Sequence, residues 1–222
     1  VPVDPTKVTN YDLDTHGLEE VILFWVCAAG KNGVSAARAL DRLLCSVASD
    51  SPFGKIRALV RSGSLPEAMR AAGIGCWRNK SRTFTALAAS GIDLRNCSLK
   101  QLEAIPGIGP KTSRCFAMHS RAGFRCAGLD VHMLRFLGDC GFDVPKSSPS
   151  KNKYAELERA FLSICDLFSV QPSDLDLTVW NVYSLRDQSD ASVAKIDNIA
   201  RRMRSLNSGK AAKGQSSLVH VP

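Results

Sequence analysis

The run Ile105-Pro106-Gly107-Ile108-Gly109-Pro110-Lys111-Thr112 constrains the fold more than any other stretch of the chain. Pro106 and Pro110 each remove a backbone donor, and the glycines between them permit positive φ and close backbone approach. Upstream, Ser98-Leu99-Lys100-Gln101 carries the capping-box pattern, a serine cap with glutamine at the third helical position, so a short helix opens there. Downstream, a second helix is predicted from Lys111 to about His119. The expected unit is a hairpin of two short helices over 98–119. Amides at the N-terminus of its second helix suit a phosphate oxygen. Contacts of that kind position a nucleic acid without reading its sequence.

The rest of the chain reads as helix after helix. Leu18 to Ala29 is apolar on most faces and predicts a central core helix. Ala37, Leu40, Leu43, Leu44 and Val47 recur at helical spacing within a helix expected over Val34 to Ser49. Shorter helices are predicted over Phe53 to Arg61, Leu65 to Ala72 and Asn79 to Ser90, the last with Lys80 and Arg82 on its outer face. Asp130 is placed to cap a helix over Val131 to Leu137, and three more follow near 154–168, 175–184 and 192–206. No strand alternation stands out, and from Asn207 onward Gly, Ser, Lys and Ala predict a disordered basic tail over 207–222. The fold class expected is all-α.

The formal net charge of +8 favours a polyanionic partner. Arginines and lysines gather around Arg78, Lys80 and Arg82, around Lys111 and Arg114, and at Arg201, Arg202 and Arg204. The longest apolar run, Val21 to Gly30, is too short to span a membrane and follows Glu19 and Glu20. The first residues lack the basic start and apolar core of a secretory signal, so an intracellular protein without a membrane partner is expected. The chain has 8 cysteines, none paired in a Cys-x-x-Cys spacing, so free thiols packed as small hydrophobes are expected and no metal site.

The hairpin resembles the helix-hairpin-helix of the HhH-GPD superfamily of DNA glycosylases, in particular its endonuclease III branch. Gly75-Cys76-Trp77-Arg78-Asn79-Lys80 is similar to that family's Gly-x-Tyr-Asn-x-Lys stretch. Leu129-Asp130-Val131-His132-Met133-Leu134-Arg135 is similar to its Val-Asp-x-His-Ile-x-Arg segment. The resemblance covers roughly residues 18 to 140. It implies two helical lobes with the active-site cleft between them, forming one unit over 1–206. In that scheme 33–120 builds a six-helix-type lobe containing the hairpin, and 1–32 joins 121–206 in the second lobe.

The resemblance also implies roles by position. Asp130 falls where these enzymes keep a catalytic aspartate, and Lys111 where bifunctional members keep a nucleophilic lysine. A carboxylate stabilises the cationic sugar that forms as an N-glycosidic bond breaks, and a lysine amine can capture the anomeric carbon as a Schiff base. The implied function is a DNA glycosylase with AP lyase activity, excising a damaged or modified base after flipping it. DNA contacts are assigned to Pro106, Gly107, Ile108, Gly109, Lys111, Thr112, Lys80, Arg78, Lys31 and Asn32. Wedge or pocket positions fall on Cys76, Trp77, Trp25 and His132. The partner implied is double-stranded DNA bearing a modified or damaged base, met by a monomer.

Plainer roles stand beside these. Lys111 could also serve as a phosphate-contacting lysine and Asp130 as a helix cap alone. His132 is more often a structural partner than a catalyst, and Trp77 suits a stacking platform and a core residue equally. The chain also departs from the family pattern. The four-cysteine iron–sulfur loop is missing, so no cofactor is expected beyond a monovalent cation at the hairpin carbonyls. Ala28-Ala29-Gly30-Lys31-Asn32 replaces a Ser-x-Gln-like segment, leaving Asn32 to pair with the orphaned base. The wedge is Cys76, smaller than the family's leucine. These departures keep two other readings open: a base-modifying enzyme that flips without excision, and a non-catalytic hairpin DNA-binding protein.

Overall fold

A computed structural model describes residues 3–184 and 187–211. Every regular element among them is a helix, and no strand occurs. In chain order these are α1 (Thr15–Ala28), α2 (Gly33–Cys45), α3 (Pro52–Arg61), α4 (Leu65–Ala71), α5 (Trp77–Ala89), α6 (Leu99–Glu103), α7 (Pro110–Ser120), α8 (Val131–Asp139), α9 (Lys151–Leu167), α10 (Pro172–Tyr183) and α11 (Asp190–Ala211). Each expected helix is present, most bounded within three residues of its expected ends. The described residues divide into two compact units, with the boundary between Ala122 and Gly123.

The first unit is built around α1. Its apolar residues lie on nearly every face, and Ile22, Leu23 and Phe24 are fully enclosed by α2, α3, α5 and α7. Residues 1–32 were expected in the second lobe. Instead α1 belongs with α2 to α7, because an all-apolar helix is stable only where neighbours cover every side. Local chemistry sets the ends: Asp14 caps α1, Asn32 caps α2 through Val34 and Ser35, and Ser51 with Pro52 opens α3. Of the 8 thiols six are buried, whereas Cys45, at the end of α2, and Cys76 are exposed.

The second unit packs α8 to α11 around Met133, Phe136, Leu157, Phe161, Ile164, Leu175, Val179, Ile199 and Met203. Helix α11 continues through Ala211, past the point where disorder was expected to begin. Asn207 is buried in that extension and donates to the carbonyl of Cys140 at 3.0 Å, so the helix is anchored by tertiary contact rather than by propensity. The remainder of the expected tail, 212–222, lies outside the described residues.

Candidate nucleic-acid interface and active site

The hairpin folds as its sequence dictates. Ser98 and Gln101 form the complete capping box on α6. Ile105 and Ile108 are buried on either side of the turn, and Ile108 N–H donates to Ile105 at 3.1 Å. Gly107 has φ +87°, and a Cβ there would stand 2.0 Å from Thr83 Oγ1 on α5. Glycine is therefore required twice over, by conformation and by the approach of α5. Glu103 ties the two helices together, accepting from Ser113 Oγ and Arg114 Nη1, each at 2.7 Å. Among the described residues no side chain caps the start of α7 at Gly109. Pro106, Gly107 and Pro110 are exposed beside it, while Thr112 is buried beneath.

Lys111 sits in the first turn of α7, half-buried, with its ammonium 5.4 Å from the centre of the Trp25 ring. Trp25 in turn stacks on His119, 5.6 Å away at an interplanar angle of 20°. Thr9 Oγ1 fixes the other side of His119, 2.7 Å from Nδ1. The indole Nε1 of Trp25 is buried and finds no hydrogen-bond partner among the described residues. Helices α1 and α7 thus hold the lysine against an aromatic wall, a placement that the spacing of the sequence does not disclose.

The turn before α5 gathers several expected residues. Cys76 is exposed and adopts φ +56°, a left-handed conformation that costs a non-glycine residue on the order of 1 kcal/mol. Trp77 is half-buried under the Arg78 guanidinium, 4.7 Å above its ring. Lys31 packs its side chain across Gly75, where any Cβ would meet Lys31 Cε. Cys76, Asn79 and Arg82 share an open pocket of about 440 Å³ with Pro106 and Gly107 of the hairpin. Asn32 is exposed, and its side-chain oxygen is occupied in capping α2.

Lys80 requires a correction. It was expected on the outer face of its helix, in contact with DNA. It is 7% exposed and its ammonium donates to the carbonyl of Cys27 at 2.6 Å, closing the C-terminal end of α1. Burial pulls its pKa below the ordinary lysine value. An ammonium committed to a helix end inside the first unit is not available to a phosphate.

In the second unit Asp130 is the N-cap of α8. Its Oδ1 accepts from the N–H groups of both His132 and Met133 at 2.9 Å, so Oδ2 takes neither bond. Val131 beside it is 64% exposed, an apolar side chain left in solvent at the mouth of the cap. His132 is half-buried, and its buried Nδ1 has no hydrogen-bond partner among the described residues. Tyr154 and Glu158 of α9, which the sequence reading did not single out, hold the backbone just ahead of Asp130. Their i, i+4 spacing was the available signal. Among the described residues no cluster of three or more His, Cys, Asp or Glu side chains suits a metal ion.

No family model and no curated protein matches the sequence. Solved structures do. The chain matches the crystal structure of the 8-oxoguanine DNA glycosylase of Thermotoga maritima with a TM-score of 0.60 at 22% identity, covering 75% of this chain and 79% of that one. It matches a trapped endonuclease III–DNA covalent intermediate with a TM-score of 0.52 at 21% identity, covering 77% and 74% respectively. The chain therefore shares the all-helical fold of these two structures.

Proposed function

We propose that this protein is a DNA glycosylase with AP lyase activity, acting on a damaged or modified base flipped from double-stranded DNA. The observation that carries the reading is the position of Lys111, in the first turn of the uncapped hairpin helix and held against Trp25. The hairpin amides take the phosphate backbone, and flipping the base costs a few kcal/mol of stacking and pairing. Asp130 Oδ2 supplies negative charge to the sugar as the glycosidic bond breaks, while Oδ1 stays engaged with α8. The Lys111 amine forms a bond to the anomeric carbon, and the base leaves with the bonding electron pair and takes up a proton. Loss of a proton from nitrogen and opening of the ring then give the Schiff base, with the former ring oxygen protonated. Removal of a proton from the adjacent carbon expels the 3′ phosphate.

Borohydride trapping on duplexes carrying a panel of modified bases, with an abasic duplex alongside, tests this. The wild type is expected to release a base and form a covalent adduct, and Lys111→Ala to lose the adduct on every duplex. Binding without base release or adduct would overturn the reading and leave a non-excising hairpin protein.

A further inference from the structure

The three residues that lead into Asp130 form neither helix nor strand, yet they are buried, with Ala127 at 0% and Leu129 at 5% exposure. Buried backbone outside regular structure must find partners elsewhere. Here they come from one face of α9. Tyr154 donates its hydroxyl to the carbonyl of Ala127 at 2.7 Å and accepts from the N–H of Leu129 at 3.2 Å. One turn on, Glu158 Oε1 accepts from the N–H of Ala127 at 3.0 Å. Both polar groups of Ala127 and the donor of Leu129 thus end on two side chains of a single helix. The N–H of Asp130 closes on the carbonyl of Gly128 at 2.8 Å, so the carboxylate follows wherever this short segment is held.

We propose that Tyr154, supported by Glu158, is the positioning residue of Asp130. Its phenol bridges the backbone on both sides of Gly128 and thereby sets where Asp130 Oδ2 stands. Tyr154 touches no substrate in this scheme; it acts through the loop. An ordinary core tyrosine would contribute packing and one bond to stability, whereas a bridge across the segment next to a reacting carboxylate controls a rate. Displacement of a catalytic group by about 1 Å can cost on the order of 100-fold. The inference rests on the reading of Asp130 as the carboxylate that assists base release.

Tyr154→Phe keeps the ring and removes only the bridging oxygen. The full-length variant and wild type are compared on the panel duplex that the wild type processes fastest, beginning with 8-oxoguanine opposite cytosine, and on an abasic duplex. Base release depends on Asp130, whereas Lys111 can trap an aldehyde already free. Excision by Tyr154→Phe is therefore expected to fall about 10-fold or more, with adduct formation on the abasic duplex falling at most a few-fold and duplex affinity little changed. Excision equal to wild type overturns the proposal, as does an equal loss of excision and trapping, which marks a general defect. A wild type that releases no base from any duplex overturns the underlying reading and this proposal with it. Should Tyr154→Phe fail to fold, Glu158→Ala enters the same comparison with the same expectation.

Discussion

At Asp130 the proposed function asks two jobs of a single carboxylate, one on each oxygen. Oδ1 satisfies two orphan donors at the start of α8, a contribution of roughly 1 kcal/mol for a side-chain cap. The division makes the two roles separable by experiment. Asparagine caps helices about as well as aspartate, so Asp130→Asn should melt within a degree or two of wild type. Its rate of base release should nevertheless fall by 100-fold or more, because the neutral amide cannot stabilise a cationic sugar. Excision close to wild type would show that the cap is the whole of its function. Lys111 differs from Lys80 at the same scale. Both are lysines on basic stretches, but one meets an aromatic face and the other a helix carbonyl.

The hairpin is the element on which sequence and tertiary packing agree most closely. Its capping box, its prolines and its glycines were all legible, since each acts within a few residues of itself. What was not legible is that Gly107 also lies against Thr83, more than twenty positions earlier. Gly107→Ala is expected to cost about 2 kcal/mol or more, part from positive φ and part from the clash. Denaturant unfolding should show the loss, and duplex affinity should weaken with it. Adding Thr83→Ala should recover the steric part alone; a double variant no more stable than Gly107→Ala would place the whole cost in the backbone. The cap of α8 at Asp130 was likewise readable, whereas the caps at Asp14, Asn32 and Ser51 emerged only with the structure. The extension of α11 to Ala211 was not readable either, because Asn207 gains its partner at Cys140 only after the chain has folded.

Over the whole molecule, burial controls the response to alkali. Cys27, Cys140 and Cys165 are each pushed up to about 12, first of all by burial, from an ordinary thiol value of 9.0. The unfolded chain sheds these protons above pH 9 while the folded chain keeps them, so stability is intact below pH 9 and falls as pH rises toward 12. Lys80, lowered by burial, works in the opposite sense, but Tyr183, raised by burial, and Lys153, raised by its bond to Asp143, add to the three thiols. In reducing buffer Tm is expected to drop on the order of 10 °C between pH 8.5 and 10.5. Cys165→Ala should flatten that slope; an unchanged Tm across the range would mean that the thiols are accessible. The net charge of +8 also looks different once folded. Arg42, Lys55, Arg57, Lys80 and Arg204 donate to carbonyls at or near the ends of α4, α2, α5, α1 and α8. Five of the 29 lysines and arginines are thus engaged with helix ends.

By itself, then, the sequence determined the all-helical class, the hairpin, the caps at Ser98 and Asp130 and the two positions where chemistry is expected. All of these depend on periodicity, on glycine and proline, or on side chains that reach only three or four residues. Tertiary structure alone decided that α1 is the centre of the first unit, that Lys80 is buried and Lys111 faces an indole, and that α9 holds the approach to Asp130. Those outcomes depend on which distant groups become neighbours when apolar faces close. A charge count or a local motif carries no record of that.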